Sequence, residues 1–439
     1  MGISDKVIKA FGTDAIASYG IKVSGTLVVY ATHILLARML GQSEFGLFAT
    51  ILVFTAVVAQ LSTLGFNEST KRFLPNYLAL GKVKIAKVFV SYSSNLTLIS
   101  AITSSVLLGG IFGLAQISNV YPDIPIAIYL GLIAIPVLCW THLTESVAIA
   151  RSFLVRGLAP TYIGRPLITI FIVALAIYFV DKPDAIHATI ALIIASVLSG
   201  IPQSIMITKA LKKEFDGVEE KHPDESIPAR IWWVKQSLPL FVAQGFFTLA
   251  INIDVLVIGL FLDNTSVAIY FAAVKTVSLL AFIHQSIGSV AARRLSESHA
   301  KLQHTTFQNF FRLSALAATI LTVLGAGFLM LAGPFILGLF GEGFEAGIPL
   351  MTILLVGIIG QAFTCSSQEA LLVHGHQKAI ATIQSVSFFI NIIANIILVQ
   401  MYGLMGVAIA TAVVTLLRAL ATYRYAAQQT GIRLIARKT

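Results

Sequence analysis

The chain has 439 residues, of which 57% are hydrophobic and only 11% charged, with a formal charge of +10. A soluble domain carries about 25% charged residues, so this composition excludes an ordinary soluble enzyme or binding module. The positive balance does not mark a nucleic-acid partner either. The charges fall in short clusters between apolar runs, each near the ~20 residues a helix needs to cross the hydrocarbon core.

Twelve such runs follow one another, at roughly 15–37, 45–66, 88–112, 124–149, 166–180, 187–207, 236–262, 266–290, 313–333, 347–372, 380–401 and 404–423. The run at 166–180 is the shortest and the least complete as a span. All are continuous and lack the dyad alternation of a barrel, so the fold class is an all-α integral membrane protein. The first run is too long for the h-region of a cleavable signal and reads as an anchor. Cys139 and Cys365 both lie within runs, which leaves no disulfide framework.

The loops carry the charge asymmetrically. Of the 30 Lys and Arg, 26 collect on one side, in clusters such as 71–87, 151–165 and 209–235 and in the closing positions from Arg418 onward. Arg38 and Lys182 alone fall on the other side. The positive-inside rule then puts both termini in the cytoplasm, which requires an even number of spans.

The longest polar segment, 209–235, divides the spans six and six. It predicts an N-terminal lobe over 1–208, a cytoplasmic linker over 209–235, a C-terminal lobe over 236–425 and a tail over 426–439. Weak self-similarity links the halves: Leu40, Ser43 and Gly46 fall opposite Leu262, Thr265 and Ala268, and Glu145 opposite Glu369. Two lobes of equal topology make this a parallel repeat, with substrate expected between them near the midplane. Tight turns are expected at Gly41, at Gly341–Gly347 and at Gly403.

Polar residues inside spans are the informative exceptions, because each charge costs a few kcal/mol at the bilayer centre. In chain order they are Lys22, Glu145, Asp254, Lys275 and Glu369, with Arg38 at the outer end of the first span. Asp254 and Lys275 flank the turn at 263–265 at similar depth, about 12–15 Å inside, and adjacent antiparallel helices would bring them together as a salt bridge or a gate. Glu145 and Glu369 are matched across the halves near the inner ends of spans four and ten. Gln244, Asn252, Gln361, Asn391 and Asn395 read either as cavity lining for sugar hydroxyls or as interhelical hydrogen-bonders. His33, His142 and His284 lack metal-ligand spacing, and no P-loop, zinc-protease motif or nucleophile elbow occurs, so no catalytic or metal residue and no cofactor is assigned.

The stretches 34–49, ILLARMLGQSEFGLFA, and 72–81, RFLPNYLALG, are similar to the opening of the polysaccharide-transporter flippases of the multidrug/oligosaccharidyl-lipid/polysaccharide (MOP) superfamily. The segments 254–272, 336–347 and 402–411 resemble the same family in the same order, over nearly the whole chain. The resemblance implies a MOP-like architecture and transport rather than catalysis. Its substrate would be a polyprenyl-pyrophosphate-linked oligosaccharide, flipped across a bacterial inner membrane by alternating access.

In that frame Lys22, Lys275, Arg38, Gln244 and Asn252 are the expected substrate contacts, with the cations drawing the pyrophosphate. Asp254, Glu145 and Glu369 are the expected gate or coupling carboxylates for H⁺ or Na⁺. The basic loops would meet anionic membrane lipids. The rival readings are an ion-coupled exporter of organic cations, a flippase for cell-wall precursor, a major-facilitator fold, and a membrane-embedded glycosyltransferase or polymerase. The short outer loops argue against the last.

Overall fold

In the computed structural model, residues 3–119, 123–180, 182–221 and 226–431 are described, with side chains from Gly20 onward. The last part of the expected tail, 432–439, lies outside them. Every regular element among the described residues is helical. The chain divides into two compact units, Met1–Thr248 and Leu249–Thr439, so the linker segment and most of the helix after it belong to the first unit.

The first unit begins with α1 (Ile3–Leu40) and α2 (Gln42–Ser62), separated by Gly41 alone. A short helix, α3 (Phe66–Ala79), precedes α4 (Val83–Ile117) and α5 (Ile126–Ala150). Next comes a composite span: α6 (Leu154–Ala159), a π-turn over Pro160–Gly164, and α7 (Arg165–Ala176). The unit closes with α8 (Ala185–Gly217) and α9 (Arg230–Ala250). α5 is its centre and packs against α2, α4 and α8.

The composite span corrects the expected run at 166–180. It runs from Leu154 to Ala176, 23 residues, which reaches across the hydrocarbon where the apolar run by itself does not. Pro160 and Pro166 each lack an N–H donor, and the π-turn between them absorbs the broken ladder. Gln203 of α8 props it, its Nε2 donating to Gly157 O at 2.6 Å and to Thr161 Oγ1 at 3.2 Å.

One end of this unit is held by aromatic packing. Phe66, Phe73, Tyr77, Phe89 and Trp233 are buried together, and the Trp233 indole N–H donates to Tyr77 Oη at 2.8 Å. Gly65, at φ 78°, lets α3 start hard against α9. A Cβ there would sit 2.6 Å from the Phe241 backbone nitrogen.

The second unit contains α10 (Ile253–Phe261), α11 (Asn264–Ser278), α12 (Ala281–Ala300) and α13 (His304–Gly338). After a 3₁₀ turn at Phe344–Gly347 it continues with α14 (Ile348–Phe363), α15 (Cys365–Val373) and α16 (Gln377–Thr430). The 54 residues of α16 would extend about 80 Å if straight, far beyond a ~30 Å hydrocarbon core. The chain reverses at Gly403, where φ is 56° and ψ −136°. The two arms then run so close that a Cβ on Gly406 would overlap the Leu398 carbonyl.

Ten helical stretches are long and apolar enough to cross a bilayer, and the pair α9–α10, interrupted at 251–252, makes an eleventh. The reversal at Gly403 divides α16 into two spans, giving twelve among the described residues. Leu313, Leu316, Ile320, Leu324 and Leu331 form an exposed apolar stripe along α13, a surface suited to lipid and not to water. This is a multi-pass membrane protein.

Candidate functional site

Each unit gathers polar groups inside its own helices. In the first, Glu145 on α5 lies within electrostatic reach of Lys22 on α1, Lys71 on α3 and Arg165 at the start of α7. Neither Lys22 nor Arg165 makes an ion pair with it among the described residues, and no hydrogen bond reaches its carboxylate there. Lys71 is also paired locally with Glu68 at 2.6 Å. His142 and Tyr162 share the electrostatic neighbourhood of Arg165. The Nδ1 of His142 is buried without a hydrogen-bond partner.

Arg165 corrects the charge count made from the sequence, which placed it in a loop. It lies eleven residues from each end of the Leu154–Ala176 span, about 16 Å deep from either side. The signal was present: a run of fifteen apolar residues cannot span, so the helix has to extend backward over Arg165.

The second unit holds a polar cage around Asp254, which is buried near the start of α10. Tyr270 Oη on α11 and Thr411 Oγ1 on the second arm of α16 each donate to Asp254 Oδ2 at 2.8 Å. Asn395 on the first arm donates from Nδ2 to Asp254 Oδ1 at 2.7 Å, and the same amide contacts Asn391 Oδ1. The remaining oxygen of Asn395, Oδ1, is buried and accepts nothing. One carboxylate and several neutral oxygens thus converge on one point. Among the described residues no group of three or more His, Cys, Asp or Glu is placed to hold a metal ion.

The expected pairing of Asp254 with Lys275 does not occur. The Lys275 ammonium stands over the Phe271 ring at 4.9 Å from its centroid, a cation–π contact one turn along its own helix. Depth along the chain placed the two residues level. Helical phase separates them, because Asp254 faces the two arms of α16.

A cavity of about 240 Å³ opens beside the cage, lined by Asp254, Tyr270, Gln361, Gln384, Asn391 and Arg418 among others. Arg418, counted from the sequence with the closing positive cluster although it falls within the run 404–423, lines this cavity from the second arm of α16. Its guanidinium donates to Gln361 Oε1 at 3.3 Å. Of the neutral polar residues named from the sequence, Gln361, Asn391 and Asn395 belong to this region; Tyr270 and Thr411 were missed, as ordinary span residues with no charge to flag them.

The other expected residues stand apart from these two clusters. Arg38 is exposed in the last turn of α1, where a cation complements the helix dipole. Gln244 is half-buried on α9, and Asn252 stands at the interruption before α10, its backbone N–H bonded to Leu249 O at 3.1 Å. Glu369 on α15 lies against α12, its Oε1 beside Gly288. His284, also buried, neighbours Arg418 electrostatically.

Comparison with known proteins agrees with this architecture. The family model described as "Polysaccharide biosynthesis protein" matches residues 11–299. An uncharacterized membrane protein of Methanocaldococcus jannaschii, MJ1068, is 21% identical over 410 residues, covering 88% of this chain and 77% of that protein. An inward-facing MATE family multidrug resistance transporter of the MOP superfamily superposes with a TM-score of 0.74 at 16% identity, covering 93% of this chain and 94% of its own. The lipid II flippase MurJ, in an inward closed conformation, gives a TM-score of 0.71 at 16% identity, covering 93% and 87%. The chain thus belongs to the polysaccharide biosynthesis protein family and has the fold of the MOP superfamily transporters, as the sequence motifs led one to expect.

Proposed function

We propose that this protein flips a polyprenyl-pyrophosphate-linked oligosaccharide across the cytoplasmic membrane by alternating access, both termini lying in the cytoplasm. The observation that carries this reading is the excess of cations inside the first unit. Lys22 and Arg165 both lie within electrostatic reach of Glu145 without pairing with it among the described residues, while Lys71 is already paired with Glu68. Such a balance favours an anionic head group over an organic cation, since a diphosphate brought out of water needs fixed positive charge and donors to replace its hydration. The prenyl tail needs no such site, because it is already at home in hydrocarbon. The family match supports a polysaccharide substrate.

Asp254 is the coupling carboxylate in this reading. Its cage offers one negative charge and unsatisfied neutral oxygen, which suits a monovalent cation such as Na⁺ or a proton. Cation uptake there would neutralise the interior charge and favour one conformational state over the other. Lys275 is not Asp254's counter-ion, so substrate release by a direct exchange between those two is not part of the mechanism.

The test is leaflet exchange of a fluorescent polyprenyl-pyrophosphate oligosaccharide in proteoliposomes, read with a membrane-impermeant reagent. Wild type should exceed empty liposomes, and Lys22→Ala or Arg165→Gln should each lower the rate tenfold or more. Uptake of an organic cation under an ion gradient, with no exchange of the lipid, would overturn the assignment in favour of an exporter.

A further inference from the structure

Arg418 is not used by the mechanism above. It projects from the second arm of α16 into the cavity of about 240 Å³, together with Gln361 of α14 and Gln384 and Ser387 of the first arm. A guanidinium carries five N–H donors and cannot shed its charge. Only one contact, to Gln361 Oε1 at 3.3 Å, engages it, and no carboxylate lies within ion-pair distance among the described residues. Nor does it serve Asp254, whose oxygens are occupied by Tyr270, Thr411 and Asn395. Thr411 and Arg418 lie seven residues apart on one helix, so their backbone positions are about 10 Å apart along it, and no ion pair joins Arg418 to Asp254 among the described residues.

A cation so placed inside a membrane span is costly unless an anion accompanies it. Its guanidinium is turned to Gln361 and the cavity, so it is not spent on reaching the bilayer boundary. His284, within electrostatic reach of Arg418, adds no negative charge, and its Nδ1 is itself buried without a partner. The surroundings supply donors: the side-chain amide of Gln384 and the hydroxyl of Ser387 make no hydrogen bond among the described residues. A planar fork beside amide and hydroxyl donors matches the several oxygens of an oxyanion better than a spherical halide.

We infer that the Arg418 end of this cavity is a phosphate-group site, separate from the cation cage at Asp254 and from the cationic cluster of the first unit. The phosphate comes either from a prenyl-phosphate head group or from free inorganic phosphate. The inference does not rest on what the protein transports.

The experiment measures thermal unfolding of the purified full-length protein in detergent at constant ionic strength. Inorganic phosphate, farnesyl diphosphate and chloride are titrated against gluconate. Saturable stabilisation by phosphate or farnesyl diphosphate is expected, with its midpoint raised tenfold or more in Arg418→Gln and about threefold in Gln384→Leu. Gln384→Leu leaves the buried charge in place and keeps the test usable if Arg418→Gln does not fold. Stabilisation by both phosphates supports a free-anion site, and stabilisation by farnesyl diphosphate alone supports a head-group site. Equal stabilisation by chloride overturns the oxyanion assignment. No anion effect, or one undiminished in both variants, overturns the site.

Discussion

The two units treat a carboxylate held among their helices in opposite ways. In the first, Glu145 has cations around it but receives no hydrogen bond among the described residues. In the second, Asp254 has three neutral donors on its oxygens and no cation beside it. Long-range attraction falls slowly with distance and tolerates movement, whereas a hydrogen-bonded cage fails when an atom shifts by about an ångström. Under the function proposed above, the first arrangement would serve the large anionic ligand and the second a small ion held at fixed positions.

The comparison is broken most directly by changing side-chain length at constant charge. Asp254→Glu adds one methylene inside the cage and should reduce cation-dependent leaflet exchange tenfold or more, about 1.4 kcal/mol or more of lost binding. Glu145→Asp shortens the other acid by the same amount and should change exchange less than about threefold, because screened Coulomb attraction varies gently over that distance. Comparable losses in both variants would mean that Glu145 also works through fixed geometry.

A second test acts on the scaffold of the first unit. Gln203→Leu removes the side-chain donor to Gly157 O and Thr161 Oγ1 beside the π-turn, at a cost of about 0.5–1.5 kcal/mol. Thermal unfolding should fall accordingly, while exchange in the surviving folded protein should drop only two- to threefold. The charge of Arg165 remains, and only its placement loosens. A loss as deep as that of Arg165→Gln would show that placement matters there as much as in the Asp254 cage.

These assignments also mark what the sequence could and could not disclose. The twelve spans were legible because lipid demands apolar length, and the turns at Gly41 and Gly403 because a glycine stands in each short break between two runs. Asp254 stood out as a charge in an apolar run, yet its partners did not: Tyr270, Asn395 and Thr411 lie 16, 141 and 157 residues away, and three-dimensional phase alone brings them together. Arg165 was hidden for a different reason: its span continues backward past the most hydrophobic stretch, so a hydropathy reading assigns it to the adjoining loop, and the short run at 166–180 was the clue. Arg418 lay inside the apolar run 404–423 but was grouped with the closing positive cluster, and only the fold brings Gln361 and the first arm of α16 to it.

The smallest expected effect lies outside the spans, where the second unit again brings titratable groups close together. His374 follows α15, its ring 4.4 Å from that of His299 and 5.3 Å from Phe307, with Nδ1 against Ala370 O at 2.8 Å. Burial holds its pKa below the usual histidine value; the Ala370 carbonyl pulls the other way, and weaker repulsions from His299, His376 and His304 add to the effect of burial. Between this lowered value and the unfolded value near 6.5, the native state binds fewer protons than the unfolded state. The stability His374 contributes is thus present above about pH 6.5 and lost as pH falls through that window. Wild type should lose more thermal stability than His374→Gln between about pH 7.5 and pH 5.5, by about 1 °C after allowance for solvent screening. An equal loss in the two proteins would show that the imidazoles separate freely on protonation. This part of the second unit would then share the tolerance to displacement assigned to Glu145, and the tight geometry would be confined to the Asp254 cage.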